Sequence, residues 1–361
     1  MIKTPEQVEK IKESAAINIA VLDYVAEHIR AGITTEDIDR WVYEETTKRG
    51  AIPAPLNFEG FPKSVCTSIN EEVCHGIPSP DVVLKDGDII NVDCTTNYHG
   101  FYADASRMFC IGNVSDEKRK LVEVTKEAVM RGLAQVKPWG YLGDVGQAVN
   151  DYAKENGYSV VREIGGHGVG VDFHEEPWVS FVTKKGTEMV MAPGMMFTIE
   201  PMINLGRADI YEDDSNGWTI RTDDGSPSAQ WEIQVLVTET GYELIVDYFD
   251  TNEEMYPVIE AGAVNYDVVC PSDYMIQKMR ENDLLAELNF DNIPNIAQID
   301  PAYMEMSQAF DPENKYSVPY CWGTVGILYN TKLLDELGVP APTKWADLWD
   351  ERLSGEILMQ D

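Results

Sequence analysis

The stretch "DIINVDCTTNYHGFYADASRMF", residues 88–109, decides how this chain folds. It is rich in β-branched and aromatic residues and reads as two strands joined by a turn near Tyr98–Gly100. Strand residues alternate between faces. Each arm carries one acid among core-type neighbours, Asp93 in "NVDCTT" and Asp104 in "YADASR", so pairing of the arms brings the two carboxylates close together. Upstream, "SVCTSI" reads as another strand. Before it, Thr4, Pro5 and Gln7 form a helix start with a capping box. Ile11, Ala15, Ile19, Leu22 and Val25 then keep helical spacing up to a stop at Gly32, and a second helix runs from about Thr35 to Lys48. Downstream come helices over about 115–136 and 143–156, then strands in "SVVREI", "MMFTIEPMI", "GWTIRT" and "AQWEIQVLVTETGYELI". The pattern predicts an α+β fold, with helices packed on a largely antiparallel, curved sheet.

Composition narrows the function. The chain has 361 residues, enough for two domains, and 44% of them are hydrophobic, enough for a core. Its formal net charge of −34 argues against non-specific nucleic-acid binding, which needs Lys and Arg to displace counterions, and against anionic membranes. No apolar run approaches the roughly 20 residues of a membrane span. The N-terminal "MIKTPEQVEKIKES" lacks the apolar core of a signal peptide, so a cytoplasmic location is expected. The six cysteines show no CxxC spacing and read as free thiols.

Two of the five histidines, His167 and His174, lie in the glycine-rich "GGHGVGVDFHEEP", residues 165–177. Glu200 in "FTIEP" and Glu232 in "AQWEIQV" fall within apolar strands. A carboxylate in such surroundings is costly unless it is paired, protonated or on a metal. Taken singly, any of these acids could cap a strand end or pair with an arginine. Taken together, Asp93, Asp104, Glu200 and Glu232 with His167 point to two divalent cations sharing carboxylates. Oxygen ligands with one imidazole suit Mn, Fe, Co or Zn, and two such ions about 3.5–4 Å apart can hold and activate a water.

These segments, with "VCHGIP" (73–78) and "SAQWEIQVLVTETG" (228–241), stand in one order and spacing, and in this residues 1–246 resemble a bacterial type I methionine aminopeptidase. The resemblance implies the pita-bread α+β fold, with two pseudo-symmetric halves around a dinuclear metal site. It implies Asp93, Asp104, His167, Glu200 and Glu232 as ligands, Asp104 and Glu232 bridging. It implies that a bridging hydroxide attacks the first peptide bond of nascent peptides whose second residue is small. Glu200 would act as base and proton shuttle, His174 as a donor to the oxyanion, and His75 near the departing amide. The methionine pocket would comprise Phe58, Phe61, Cys66, Phe173 and Trp218, with His75 and His174 also touching substrate. Phe58 and Phe61 stand where tyrosines are usual in the family, which bears on how the second residue is received. The partners implied are nascent peptides at the ribosome, and the enzyme would be a monomer. His28 and His99 match no motif and read as structural. A prolidase or creatinase shares this fold, but the short N-terminus, "VCHGIP" and the aromatic set speak against one.

Near residue 246 the text changes to short alternating strands and helices. Residues 247–361 resemble the N-terminal lobe of a periplasmic spermidine/putrescine-binding protein, through "DTNEEMY", "YDVVCPSDYMIQKM", "FDPENKYSVPYCWGTVGILYN" and "TKWADLWD". That resemblance implies an incomplete periplasmic-binding-protein lobe, in which Ser272 and Tyr274 match ligand-facing positions. Binding needs both lobes, so no polyamine affinity is expected of this segment. An alternative reading makes the chain a polyamine-binding transport component. A third makes it an aminopeptidase silenced by its tail.

Overall fold

The computed structural model describes residues 1–246, 252–260, 269–320 and 330–354. The chain divides into two compact units, Met1–Val268 and Val269–Asp361.

The first unit opens with α1 (Pro5–His28) and α2 (Thr35–Lys48). Thr4 Oγ1 accepts from Gln7 N at 3.2 Å while Gln7 Oε1 accepts from Thr4 N at 2.9 Å, the capping box expected from sequence. The helix stops at His28, one turn short of Gly32, and His28 stacks on Tyr24 with ring centroids 4.1 Å apart. Strands β1 (Ile52–Pro53), β2 (Cys66–Ile69) and β3 (Glu72–Cys74) lead to the long hairpin of β4 (Ile89–Tyr98) and β5 (Phe101–Cys110). The hairpin is paired without interruption from Ile89↔Cys110 to Tyr98↔Phe101. Its two turn residues, His99 and Gly100, have φ of 55° and 85°, the left-handed pair that matches strand twist in a two-residue hairpin. His99 is therefore a turn residue, at a position where histidine is among the better-tolerated side chains.

Helices α3 (Asp116–Leu133) and α4 (Leu142–Glu155) follow, then β6 (Ser159–Val160), β7 (Gly166–Gly168), β8 (Glu175–Val179), β9 (Met196–Ile199) and β10 (Met202–Asn204). The remaining strands are β11 (Ile210–Glu212), β12 (Ile220–Thr222), β13 (Ser228–Gln230), β14 (Ile233–Val237) and β15 (Tyr242–Val246). In place of one curved sheet there are four sheets. Their orders are β1-β4-β2 with β5 on β4, β13-β10-β6, β11-β12-β3, and β15-β14-β9-β7-β8.

Two sequence-based expectations change here. "MMFTIEPMI" is not one strand: it breaks at Glu200–Pro201, so β9 lies in one sheet and β10 in another. "AQWEIQVLV" breaks likewise at Trp231–Glu232, between β13 and β14. Glu200 and Glu232 thus sit where a chain leaves one sheet for the next, not within strands. Such a break frees the side chain from the in–out alternation of a pleat and lets it turn into the gap between sheets.

Each half buries a helix pair against strands. Ile11, Leu22, Ile38, Val92 and Ala103 belong to one core, and Val124, Leu133, Val149, Phe197 and Val235 to the other. Among the described residues no helix is long and apolar enough to cross a membrane.

The second unit holds short helices, Asp273–Glu281, Pro301–Ser307 and Thr331–Leu337. The first is shorter than "DYMIQKMRENDLLAEL" suggested, because the chain turns at Asp283 with φ of 56°. Buried Asp311 gathers this unit's loop: its carboxylate accepts from the backbone of Lys315, Tyr316 and Ser317. The expected strand "NYDVVC" and the middle of "YSVPYCWGTVGILYN", Cys321 included, lie largely outside the described residues. The five described cysteines are free.

Candidate active site

Every candidate site residue of the first part of the chain lines one cavity of about 570 Å³. Asp93, Asp104, His167, Glu200 and Glu232 line it together with Phe58, Phe61, Cys66, His75, Phe173, His174 and Trp218. Ser272 and Tyr274 belong to the second unit, where Ser272 precedes the Asp273–Glu281 helix and Tyr274 is half exposed.

The hairpin supplies two of the acids. Asp93 lies opposite Ser106 and Asp104 opposite Thr95, so the two carboxylates are diagonal neighbours on one face rather than a direct pair. Strand β7 brings His167. Its Nε2 lies 3.7 Å from Asp104 Oδ2 and 3.5 Å from Glu200 Oε1. Ligand atoms of Asp104, His167 and Glu232 all fall within 4.8 Å of one another.

Glycine permits this crowding. A Cβ on Gly166 would stand 2.4 Å from the Thr198 carbonyl oxygen, and one on Gly168 would stand 2.1 Å from that of Glu176. His75 itself sits in the left-handed region at φ 56°, a strained setting for a side chain that faces a site.

A surrounding layer of hydrogen bonds orients the acids. Thr95 Oγ1 donates to Asp104 Oδ1 at 2.7 Å, and Asp104 N donates to Gln234 Oε1 at 2.9 Å. Thr198 Oγ1 donates to Glu200 Oε1 at 2.6 Å, and Gln230 Nε2 donates to Glu200 Oε2 at 3.2 Å. His167 Nδ1 lies 3.0 Å from the Gly168 carbonyl oxygen and must donate to it, which leaves the Nε2 lone pair facing the acids. Thr95, Thr198, Gln230 and Gln234 were not singled out from sequence. The available signal was spacing: Thr95 is two residues from Asp93 on the same strand face, and Thr198 is two from Glu200.

Burial pushes the Asp93 carboxyl up to about 7. Asp104, Glu200 and Glu232 are driven well up, by burial first and then by neighbouring carboxylates, Asp93 among them in each case. His167 and His75 are each pulled down to about 4, by burial first and then by His174, and burial lowers His174 as well. Among the described residues no lysine or arginine pairs with any of the four acids, and the neutral His167 ring lies against Asp104 and Glu200. A packed set of four carboxylates and one neutral imidazole, with no organic cation, is the donor set of hard or borderline divalent metals. The residues present fit such ions.

The remaining wall is aromatic. Phe173 stacks on His174 with centroids 4.2 Å apart, Phe58 lies 4.7 Å from Phe173, and Phe61 meets Trp218 edge-on at 5.2 Å. Cys66 is opposite Asp93 across the β2–β4 pairing, and burial keeps its thiol neutral. Glu59, exposed and also missed from sequence, is among the lining residues and has a left-handed φ of 49°.

Residues 9–239 match the model of metallopeptidase family M24. Residues 265–361 match that of bacterial extracellular solute-binding proteins. The chain is 42% identical to the methionine aminopeptidase of Rickettsia prowazekii over 243 residues, which is 67% of this chain and 93% of the relative. It is 44% identical to that of Haemophilus influenzae, covering 68% and 91% respectively. Among solved structures, the Rickettsia prowazekii methionine aminopeptidase superimposes with a TM-score of 0.67, covering 68% of this chain and 99% of its own. The methionine aminopeptidase of Thermotoga maritima, 35% identical, gives 0.67 with 69% and 99% covered.

Proposed function

The chain belongs to metallopeptidase family M24, with its pita-bread fold and methionine aminopeptidase function, and we propose how its own residues carry out that hydrolysis. The observation that carries the proposal is the meeting, in one cavity, of the carboxylate–imidazole set with an apolar aromatic wall. The substrates are nascent peptides with a small second residue, met at the ribosome in the cytoplasm by a monomer.

Asp93, Asp104, His167, Glu200 and Glu232 would hold divalent ions, of Co, Mn, Fe or Zn. Bound there, the ions supply charge that balances the carboxylates and lowers the pKa of water. Phe58, Phe61, Phe173 and Trp218, with the neutral Cys66 thiol, take the methionine side chain, whose flexible thioether suits aromatic walls. Glu200, steadied at both oxygens by Thr198 and Gln230, takes the proton of the attacking water and returns it to the departing amine. His174, neutral at pH 7, keeps an N–H to donate to the peptide oxygen as charge develops on it. His75, also neutral, positions the departing amide nitrogen.

The family-model match over residues 265–361 supports reading the chain beyond residue 246 as part of a solute-binding lobe. We take residues 247–361 as part of a polyamine-type lobe, joined to the enzyme as a fusion. Ser272 and Tyr274 are its candidate ligand positions.

Methionine release from a Met-Ala-Ser peptide by the full-length chain tests the enzyme. Activity that returns when Co or Mn is added to metal-free protein is expected. Cleavage of Xaa-Pro dipeptides without release from Met-Ala-Ser would overturn the substrate assignment. For the tail, calorimetry with spermidine should show no binding, and micromolar affinity would revive the transport reading.

A further inference from the structure

His174 has a chemical role but, among the described residues, no side-chain hydrogen bond to hold it. Its ring is fixed only by neighbouring rings: Phe173 at 4.2 Å, His167 at 4.3 Å and Phe58 at 5.2 Å. Its backbone belongs to the bend that joins β7 to β8, and the first residue of β8 is Glu175. That carboxylate is the most heavily restrained group in the bend. Its Oε1 pairs with Lys3 Nζ and accepts from Val171 N at 3.2 Å, and the amine of Met1 lies 2.6 Å from its Oε2.

Lys3 is an unusual partner. Its side chain is only 1% exposed, against 12% for Glu175. A buried ammonium is costly unless paired, and Glu175 is its one ion-pair partner among the described residues. The Lys3 backbone is anchored independently. Its N–H donates to the Gly194 carbonyl at 2.7 Å, and Ile2 bridges Met195, directly before β9. Its stem lies against the bend: a Cβ on Gly170 would stand 3.0 Å from Lys3 Cε and 2.6 Å from Ile11 Cδ1. Gly170 in turn accepts from Tyr102 N at 2.9 Å, two residues before Asp104. On its other side, Glu175 pairs with Gly168 across a register shift next to His167.

We infer that Lys3 is a positioning residue for the reaction: through its buried ion pair with Glu175 it fixes the bend that aims His174 into the cavity. The N-terminal segment thereby links the strand leading to Glu200 with the bend bearing His174. Glu175 sits on the cavity wall yet faces Lys3, so its charge serves the bend rather than the peptide. The inference rests on the reading of His174 as the group that meets the peptide oxygen.

The test uses full-length Lys3→Met, Lys3→Arg and Glu175→Gln, each alone and with His174→Ala, assayed with Met-Ala-Ser after loading with Mn. Lys3→Met and Glu175→Gln should keep their metal and lower kcat about ten- to a hundredfold with little change in KM, the size expected of a misplaced catalytic group. Lys3→Arg should restore most of the lost turnover. In the His174→Ala background neither change should lower kcat further, because both act through that ring. Wild-type kcat in both Lys3→Met and Glu175→Gln overturns the inference. So does a loss that adds in full to that of His174→Ala, or one that follows lost metal. An inactive wild-type chain, or a fully active His174→Ala, would instead overturn the reading of the site, and the inference with it.

Discussion

Removing the metal should make the protein's stability depend on pH in a direction opposite to that of an ordinary salt-bridged enzyme. Without cations the four acids can be accommodated only by holding protons, and burial lifts Asp93 from 3.8 to about 7. A carboxyl whose folded pKa is raised stabilises the fold fully below its unfolded pKa, and that stability drains away as pH rises toward the folded value. For Asp93 the window is about 3.8 to 7, and at about 1.4 kcal/mol per pH unit the whole passage costs on the order of 4 kcal/mol. Asp104, Glu200 and Glu232 shift in the same direction and add to the loss. The histidines oppose it over part of the range. His75 and His167, lowered from 6.5 to about 4, gain stability for the fold as pH rises between those values, and contribute no further slope above 6.5. The diagnostic range therefore begins at pH 6.5. There the chelated protein should lose roughly 2–4 °C of melting temperature for each kcal/mol lost. The Mn-loaded protein, whose acids are ionised on metal, should not follow. Binding at a hundredfold excess over Kd adds about 2.7 kcal/mol at any one pH, and the gap should widen with pH because ligation releases protons. Thermal melts of chelated and Mn-loaded protein at pH 6.5, 7.5 and 8.5 decide the matter. A chelated chain whose melting temperature is flat or rising over that range, or a metal-induced shift of equal size at each pH, would refute the electrostatic account of the site.

Three further outcomes follow from the geometry. His167→Ala and Glu232→Ala should each lose bound metal, measured by elemental analysis, and with it nearly all methionine release. His174→Ala should keep its metal while kcat falls about a hundred- to a thousandfold, as for loss of one donor to a developing oxyanion; equal loss of metal would show that its role was misassigned. Gly168→Ala places a Cβ 2.1 Å from the Glu176 carbonyl oxygen, a backbone atom that cannot swing aside. Its melting temperature should fall and its metal affinity should weaken, and a wild-type melt would show that the β7–β8 pairing has room to spare.

Much of this site could be read from the chain because its chemistry lies in local words. The hairpin declares itself by β-branched residues flanking a turn that needs two left-handed positions, and His99–Gly100 supply them. His167 announces itself by glycines that are needed for close backbone approach. What could not be read is non-local. The breaks at Glu200–Pro201 and Trp231–Glu232 lie inside runs of good strand formers, and only the pairing of β10 with β13 and of β9 with β14 shows that the chain changes sheets there. Nor does spacing reveal that Gln230 and Gln234, on either side of Glu232, bond to Glu200 and to the Asp104 backbone respectively.

Those two breaks also explain why the cavity can be both acidic and stable. A carboxylate within a regular strand either faces solvent or displaces an apolar neighbour from the core. Glu200 and Glu232 avoid both outcomes because each occupies the step between two sheets, with a mostly apolar, buried strand on one side. Met196, Phe197 and Ile199 precede Glu200, and Ile233, Val235 and Val237 follow Glu232, all of them buried. Core and site are thus segregated along the chain rather than across its faces. Thr95, Thr198 and Gln230 then donate to lone pairs of the acids, and a substitution such as Thr198→Val acts on the direction of the Glu200 carboxylate while leaving its hydrophobic support in place.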